Sequence, residues 1–243
     1  MSKINSLLVL LAVLFTVSSC HQDDNDGIFN CVKGTGAIVT QEINVSEFTG
    51  VKLEIAADIY ITQADAFTVS VTGQQNIINE LERDVNNGTW EVEFDRCVKN
   101  YNELTIHITM PETGYLSISG SGTIYGENTL DVNDIYLSIS GSGDMILDLD
   151  ATKVEAKISG SGQMKLKGET ERAEYKISGS GDYSAFNLLS NVVDVKISGS
   201  GDAEVFAKDY LDVEITGSGD IYYKGNPSLD VSVTGSGRVY DSN

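Results

Sequence analysis

A six-residue phrase, Ile-Ser-Gly-Ser-Gly-Asp, recurs with small changes seven times between Ile118 and Gly237. Its glycine pairs begin at Gly120, Gly141, Gly160, Gly179, Gly199, Gly217 and Gly235, giving steps of 21, 19, 19, 20, 18 and 18 residues. A period near twenty restricts the chain to stacked arrays, in which one repeat buries its apolar face only against the next.

The residues before each phrase alternate. Val154, Ala156 and Ile158 are separated by Glu155 and Lys157, and the same columns hold Val193, Val195 and Ile197, then Leu211, Val213 and Ile215. Period two means a strand with one buried face. Alternation resumes after the phrase, as in Met145/Leu147 and Met164/Leu166. Each repeat therefore reads as two short strands joined at Gly-Ser-Gly, where a tight corner calls for positive φ and stacked corners bring backbones close. A hairpin array and a parallel β-helix both fit. The β-helix is preferred, because each column keeps its residue type, as in-register stacking demands. Seven rungs at about 4.8 Å make a rod roughly 34 Å long.

Residues 1–19 read as a signal peptide: Lys3 precedes an apolar run over 7–17, too short to span a bilayer of about 30 Å. Val17-Ser18-Ser19-Cys20 resembles a bacterial lipobox, which makes Cys20 the lipid-attachment site and the membrane the first partner. Residues 20–36 then form an acidic tether. Its stretch 21–27 resembles the export signal of Bacteroidota surface lipoproteins, implying an outer-membrane lipoprotein exposed at the cell surface; a plain spacer on the periplasmic face is the alternative. Cys31 and Cys97 remain. An exported compartment permits their disulfide, which closes a long loop and stabilises by roughly 4 kcal/mol in the chain-entropy model.

Residues 37–113 are strand-rich, and residues 114–243 carry the repeats. Ile77, Leu81 and Val85 recur every four residues and predict a short helix over 76–85. His107 alternates with Ile106 and Ile108, and so faces solvent. Several segments together resemble the head GIN domain family of auto-transporter adhesins: Phe48-x-x-Val51-x-Leu53, 58–63, the turn Asn86-Asn87-Gly88-Thr89, 104–111 and the Gly-Ser-Gly repeats. The likeness covers about residues 38–240 and implies an exported, β-helical protein. Ala56-Ala57 departs from it, standing where the family more often has a glycine-containing turn.

Three outward columns are candidate sites. Asp182, Asp202 and Asp220, with Asp144, follow the corners. Stacked carboxylates near 5 Å repel by about 1 kcal/mol even in water, and Ca²⁺ would relieve this; alternatively each aspartate accepts a backbone N–H at its turn. Lys157, Lys176 and Lys196 form a basic column beside Glu155, Glu174 and Asp194. It could bind an anionic polymer, or it is a charge-paired face whose ion pairs contribute little each. Tyr125, Tyr222 and Tyr240 share a further column, with Tyr222 and Tyr240 on adjacent rungs. Their faces could hold a sugar, or they stiffen the last rungs as a cross-strand pair.

The net charge of −20 excludes nucleic acid, whose phosphates need a basic patch. No Ser/His/Asp set, Walker loop or zinc-ligand spacing is visible, so catalysis is not expected. The sequence is read as an all-β protein, a parallel β-helix of about seven rungs on a strand-rich N-terminal part with one short helix. It acts as a surface binding module for a glycan or host-matrix protein. The alternatives are a self-associating envelope component, joined through an open end of the β-helix, and a carbohydrate-active enzyme.

Overall fold

The computed structural model describes residues 31–243, so the expectations for residues 1–19, Cys20 and the tether up to residue 30 lie outside the described residues. The N-terminal part contains β1 (Val32–Lys33), β2 (Ile38–Glu42), β3 (Gly50–Leu53), β4 (Asp58–Gln63), β5 (Thr68–Gln74), α1 (Gln75–Ile78), β6 (Val85–Asn86), β7 (Thr89–Val92), β8 (Val98–Lys99) and β9 (Thr105–Met110). The repeats supply β10 (Tyr115–Ile118), β11 (Thr123–Ile139), β12 (Asp144–Ile158), β13 (Gln163–Ile177), β14 (Asp182–Ile197), β15 (Ala203–Ile215), β16 (Ile221–Lys224), β17 (Ser228–Val233) and β18 (Val239–Asp241).

Each repeat strand pairs in parallel with its equivalent one turn on, which makes the array a β-solenoid and not a set of hairpins. From β11 to β15 a turn holds one long strand rather than two short ones. Between β12 and β13 the ladder runs from Asp144↔Gln163 to Ala151↔Thr170, and on from Lys153↔Arg172 to Ile158↔Ile177. At the bend this ladder is interrupted only at Thr152 and Glu171, since orphaned backbone groups are costly to bury.

The corners are built by proximity, not by unusual dihedrals. Of the fourteen corner glycines only Gly235 has positive φ, so the expected left-handed corner is corrected. What demands glycine is the neighbouring turn. A Cβ on Gly160 would lie 1.9 Å from the Gly141 carbonyl oxygen, and one on Gly199 would lie 1.9 Å from that of Gly179. The same carbonyls hold the stack: the Ser161 N–H donates to Gly141 O at 3.0 Å, and Ser200 N–H to Gly179 O at 2.9 Å. Ala56 and Ala57 escape the rule. They form the first corner, against which Gly122 packs, and the Tyr101 hydroxyl donates to Ala56 O at 3.0 Å.

Inside, the columns are continuous. Ile118, Ile139, Ile158, Ile177, Ile197 and Ile215 are all buried. Large and small residues alternate where space demands it: Tyr175 lies between Ala156 and Val195, and its ring meets that of Tyr183 at 4.9 Å. Tyr183 donates to Lys176 O at 3.2 Å, and burial pushes both phenols well above their ordinary pKa.

The N-terminal end is closed by a change of strand direction. β9 and β4 continue one face in parallel, but β5 lies antiparallel on β9, and β2 antiparallel on β5. Trp90 is fully buried, lies tilted against Phe48 with ring centroids 5.6 Å apart and donates from Nε1 to Glu82 O at 3.0 Å. The helix expected over 76–85 shrinks to α1. Beyond it the backbone turns to pair, with Asp95 N–H donating to Glu80 O and Glu82 N–H to Glu93 O. Ile77 is buried from α1 and Leu81 from an antiparallel bridge to Phe94, with no second helical turn. Cys31 and Cys97 are joined in a disulfide, with β1 running parallel to β8 beside it. Residues 31–36, read from sequence as tether, are thus tied into the fold.

Replacing Gly199 by Ala forces a methyl group against backbone that cannot move independently. Gly199→Ala should lose about 2–4 kcal/mol by urea denaturation, whereas Gly126→Ala, with its nearest neighbour at 3.5 Å, should lose less than about 1 kcal/mol.

Candidate ligand-binding surface

The aspartate column is part of the backbone ladder. Asp144 Oδ1 accepts the Gln163 N–H at 2.9 Å, and Asp182 accepts that of Asp202 at 2.8 Å. Asp202 accepts from Asp220 at 2.7 Å and Asp220 from Arg238 at 2.8 Å. Each carboxylate therefore binds the N–H one turn ahead, not that of its own turn. Among the described residues no group of three or more His, Cys, Asp or Glu is placed to hold a metal. This is the alternative named for Asp182, Asp202 and Asp220, acceptance of a backbone N–H, with the donor one turn ahead, and the stacked charges meet donors of the main chain.

Lys157, Lys176 and Lys196 do stack in register, because β12, β13 and β14 pair there without a slip. Two of the three are engaged. Lys176 Nζ lies 3.1 Å from Glu155 Oε1, and Lys196 Nζ lies 2.8 Å from Glu214 Oε2. Lys157 makes no ion pair among the described residues. The column lines a shallow groove of about 370 Å³ with Ser178, Ser198 and Thr216. Beside it Lys153 pairs with Glu174 at 2.9 Å, and Arg172 pairs with Asp194. The hydrogen bond from Lys153 holds the Glu174 carboxyl below its ordinary value, whereas burial pushes Asp194 up despite Arg172.

The tyrosine column splits into two separate stacks. Tyr222 and Tyr240 stack at 5.1 Å and 13° on the last turns. Tyr125 lies at the other end, stacked at 4.8 Å on Tyr60, which stacks at 4.9 Å on His107. His107 faces outward as its alternation requires, but it is a ring of this stack and its Nδ1 lies 3.9 Å from Glu127 Oε1. His107 is exposed as expected, and the stack is an addition to that reading. In each stack the inner faces cover one another, so ring edges, hydroxyls and the end faces are what a ligand meets. Sequence reasoning missed Tyr60 and His107. The outward position of Tyr60 was readable from Asp58-Ile59-Tyr60-Ile61, but β4 and β9 carry no Gly-Ser-Gly marker to show that they align with Tyr125.

Residues 47–227 match the family model described as "Putative auto-transporter adhesin, head GIN domain". The chain belongs to this family. Its fold is similar to that of a "putative adhesin" from Bacteroides fragilis, at 27% identity and a TM-score of 0.81, covering 86% of this chain and 98% of that one. A "putative adhesin" from Parabacteroides distasonis is similar at 26% identity and a TM-score of 0.72, with 86% and 99% covered. A "putative lipid binding protein" from the same species shares the fold at 24% identity and a TM-score of 0.73, again with 86% and 99% covered. No curated protein matches the chain.

The Lys153–Glu174 pair sets a pH dependence. Because the folded pKa of Glu174 is lowered, its contribution is present above the ordinary value of 4.5 and is lost as pH falls through the folded value. Glu174→Gln should lower the urea midpoint modestly at pH 7, and its gap from wild type should narrow steadily as the pH is taken below 4.5.

Proposed function

We propose that this head GIN protein is a non-catalytic binding module of the cell envelope. It is a lipoprotein anchored through Cys20 in the outer membrane, exposed at the cell surface, and its rod presents rows of side chains to an elongated glycan or matrix protein. One observation carries this reading: the recesses cross turns. The lysine groove takes residues from four successive turns, Lys157, Lys176, Lys196 and Glu214. At about 4.8 Å per turn it runs some 14 Å along the rod, a length suited to a polymer and not to a single small substrate. The non-catalytic reading rests on the family, which is described as an adhesin head. Export is supported by the family and by the apolar run before Cys20.

A second reading, self-association, is favoured by β17. Leu229, Val231 and Val233 continue the core columns of Leu211, Val213 and Ile215, yet they are 42–46% exposed. The turn they belong to is nearly neutral, with Lys224 and Arg238 against Asp230 and Asp241, on a chain of net charge −20. Two copies can meet there with little electrostatic cost.

The chain from residue 20 carrying Cys20→Ser, screened against glycans and matrix proteins, should give a saturable hit. Lys157→Gln/Lys176→Gln/Lys196→Gln should weaken an anionic hit about tenfold, and Tyr222→Ala/Tyr240→Ala a neutral-sugar hit by a similar factor. No hit, together with a concentration-dependent dimer by light scattering, supports self-association instead. Turnover of an acidic polysaccharide would overturn the non-catalytic reading. In cells, Cys20→Ser should move the protein from the membrane to the soluble fraction, and protease added outside should remove the wild-type protein; complete protection would put it on the periplasmic face.

A further inference from the structure

The bend within each turn carries a second groove. Along its floor Ala151, Thr170, Ser190 and Ala207 stack in register, all buried. They are small, and the two hydroxyls are satisfied locally: Thr170 donates to Thr152 O at 3.3 Å and Ser190 to Leu188 O at 3.2 Å. One wall is the outward column Asp150, Glu169, Leu189 and Phe206. Glu171 and Lys208 stand on the other, each one residue past the floor. The recess between them measures about 360 Å³.

This groove changes character along the rod. On the turns of β12 and β13 it holds Asp150, Glu169 and Glu171, which make no ion pair among the described residues. On the turns of β14 and β15 the same column becomes apolar, and Leu189 is 46% exposed beside Phe206. The change coincides with the register shifts of β14, between Ala185 and Leu189 and between Ser190 and Val192. Those shifts absorb the unequal length of the repeats, and length variation in repeat proteins gathers on one face, often the binding face. The Asp182 column and two of the three lysines in the Lys176 column have partners; these three carboxylates make no ion pair among the described residues.

We infer that the bend groove binds an extended peptide segment of a partner protein, seating a Lys or Arg on Asp150, Glu169 and Glu171 and an apolar side chain on Leu189 and Phe206. The two subsites are two turns apart, about 10 Å, which corresponds to about three residues of extended chain. A cation relieves the repulsion among carboxylates stacked near 5 Å, and the apolar neighbour covers aliphatic surface that is otherwise wet. The inference concerns a different face from the lysine groove and does not depend on the ligand proposed there.

The test uses the chain from residue 20 with Cys20→Ser and the probe acetyl-Arg-Arg-Gly-Ser-Leu-Phe-amide, followed by calorimetry and by methyl shifts of Ala151 and Leu189. Saturable binding is expected, weakening as salt is raised. Replacing the probe's arginines by glutamates should abolish it. Glu169→Gln/Glu171→Gln should weaken it about tenfold, and Leu189→Ser by a similar factor. All three side chains are exposed, so unchanged thermal melts are expected to show that the variants fold. No saturable shift up to several millimolar, equal binding of the glutamate probe, or wild-type affinity in both variants would overturn the proposal. Equal affinity for arginine amide alone would overturn its apolar half.

Discussion

The structure depends on one repeated contact: the carbonyl of the first corner glycine accepts the serine N–H of the next turn. At that separation there is room for a hydrogen on Cα and nothing more, with a hypothetical Cβ falling 1.9–2.2 Å from a backbone oxygen at most corners. The corner thereby sets the register of everything between corners. A slip of one residue would break this bond and turn each buried column outward. The ladder through the bend, the continuous isoleucine column and the alternation of outward charges all follow from keeping seven corners in line.

Register also decides what happens to charge. Parallel in-register stacking puts like residues above one another, which is harmless for isoleucine and costly for aspartate. The chain answers in two ways. The corner aspartates bind the main-chain N–H one turn ahead, so the same atoms that repel one another extend the ladder. The flat face alternates acidic and basic columns, with Lys176 on Glu155 and Lys196 on Glu214. Both solutions consume side chains that looked available in the sequence. The bend has neither, and Asp150, Glu169 and Glu171 line it without an ion pair among the described residues.

The two ends of the rod are built differently. At the N-terminal end, antiparallel β5 and β2, buried Trp90 and the Cys31–Cys97 disulfide end the parallel stack and cover its core. At β17 the core columns continue into side chains that remain nearly half exposed. An exposed strand of this kind offers backbone partners as well as apolar surface.

Most of the repeat region was legible in the sequence, because period two and a twenty-residue recurrence are local signals that stacking cannot override. The buried isoleucines, the lysine column and the parallel pairing could all be read from spacing alone. The N-terminal part was less legible. Ile77, Leu81 and Val85 have helical spacing, but the backbone of 80–82 found strand partners at 93–95, and that choice belongs to contacts distant in sequence. The stack of His107, Tyr60 and Tyr125 needed β4 and β9, which no motif marks, to align with β11. Sequence by itself determined a solenoid with glycine corners, since only close backbone approach explains so many paired glycines at that period. Tertiary structure alone decided which polar groups are spent on the ladder and which remain for a ligand, because a hydrogen-bond partner one turn away is about twenty residues away in the chain.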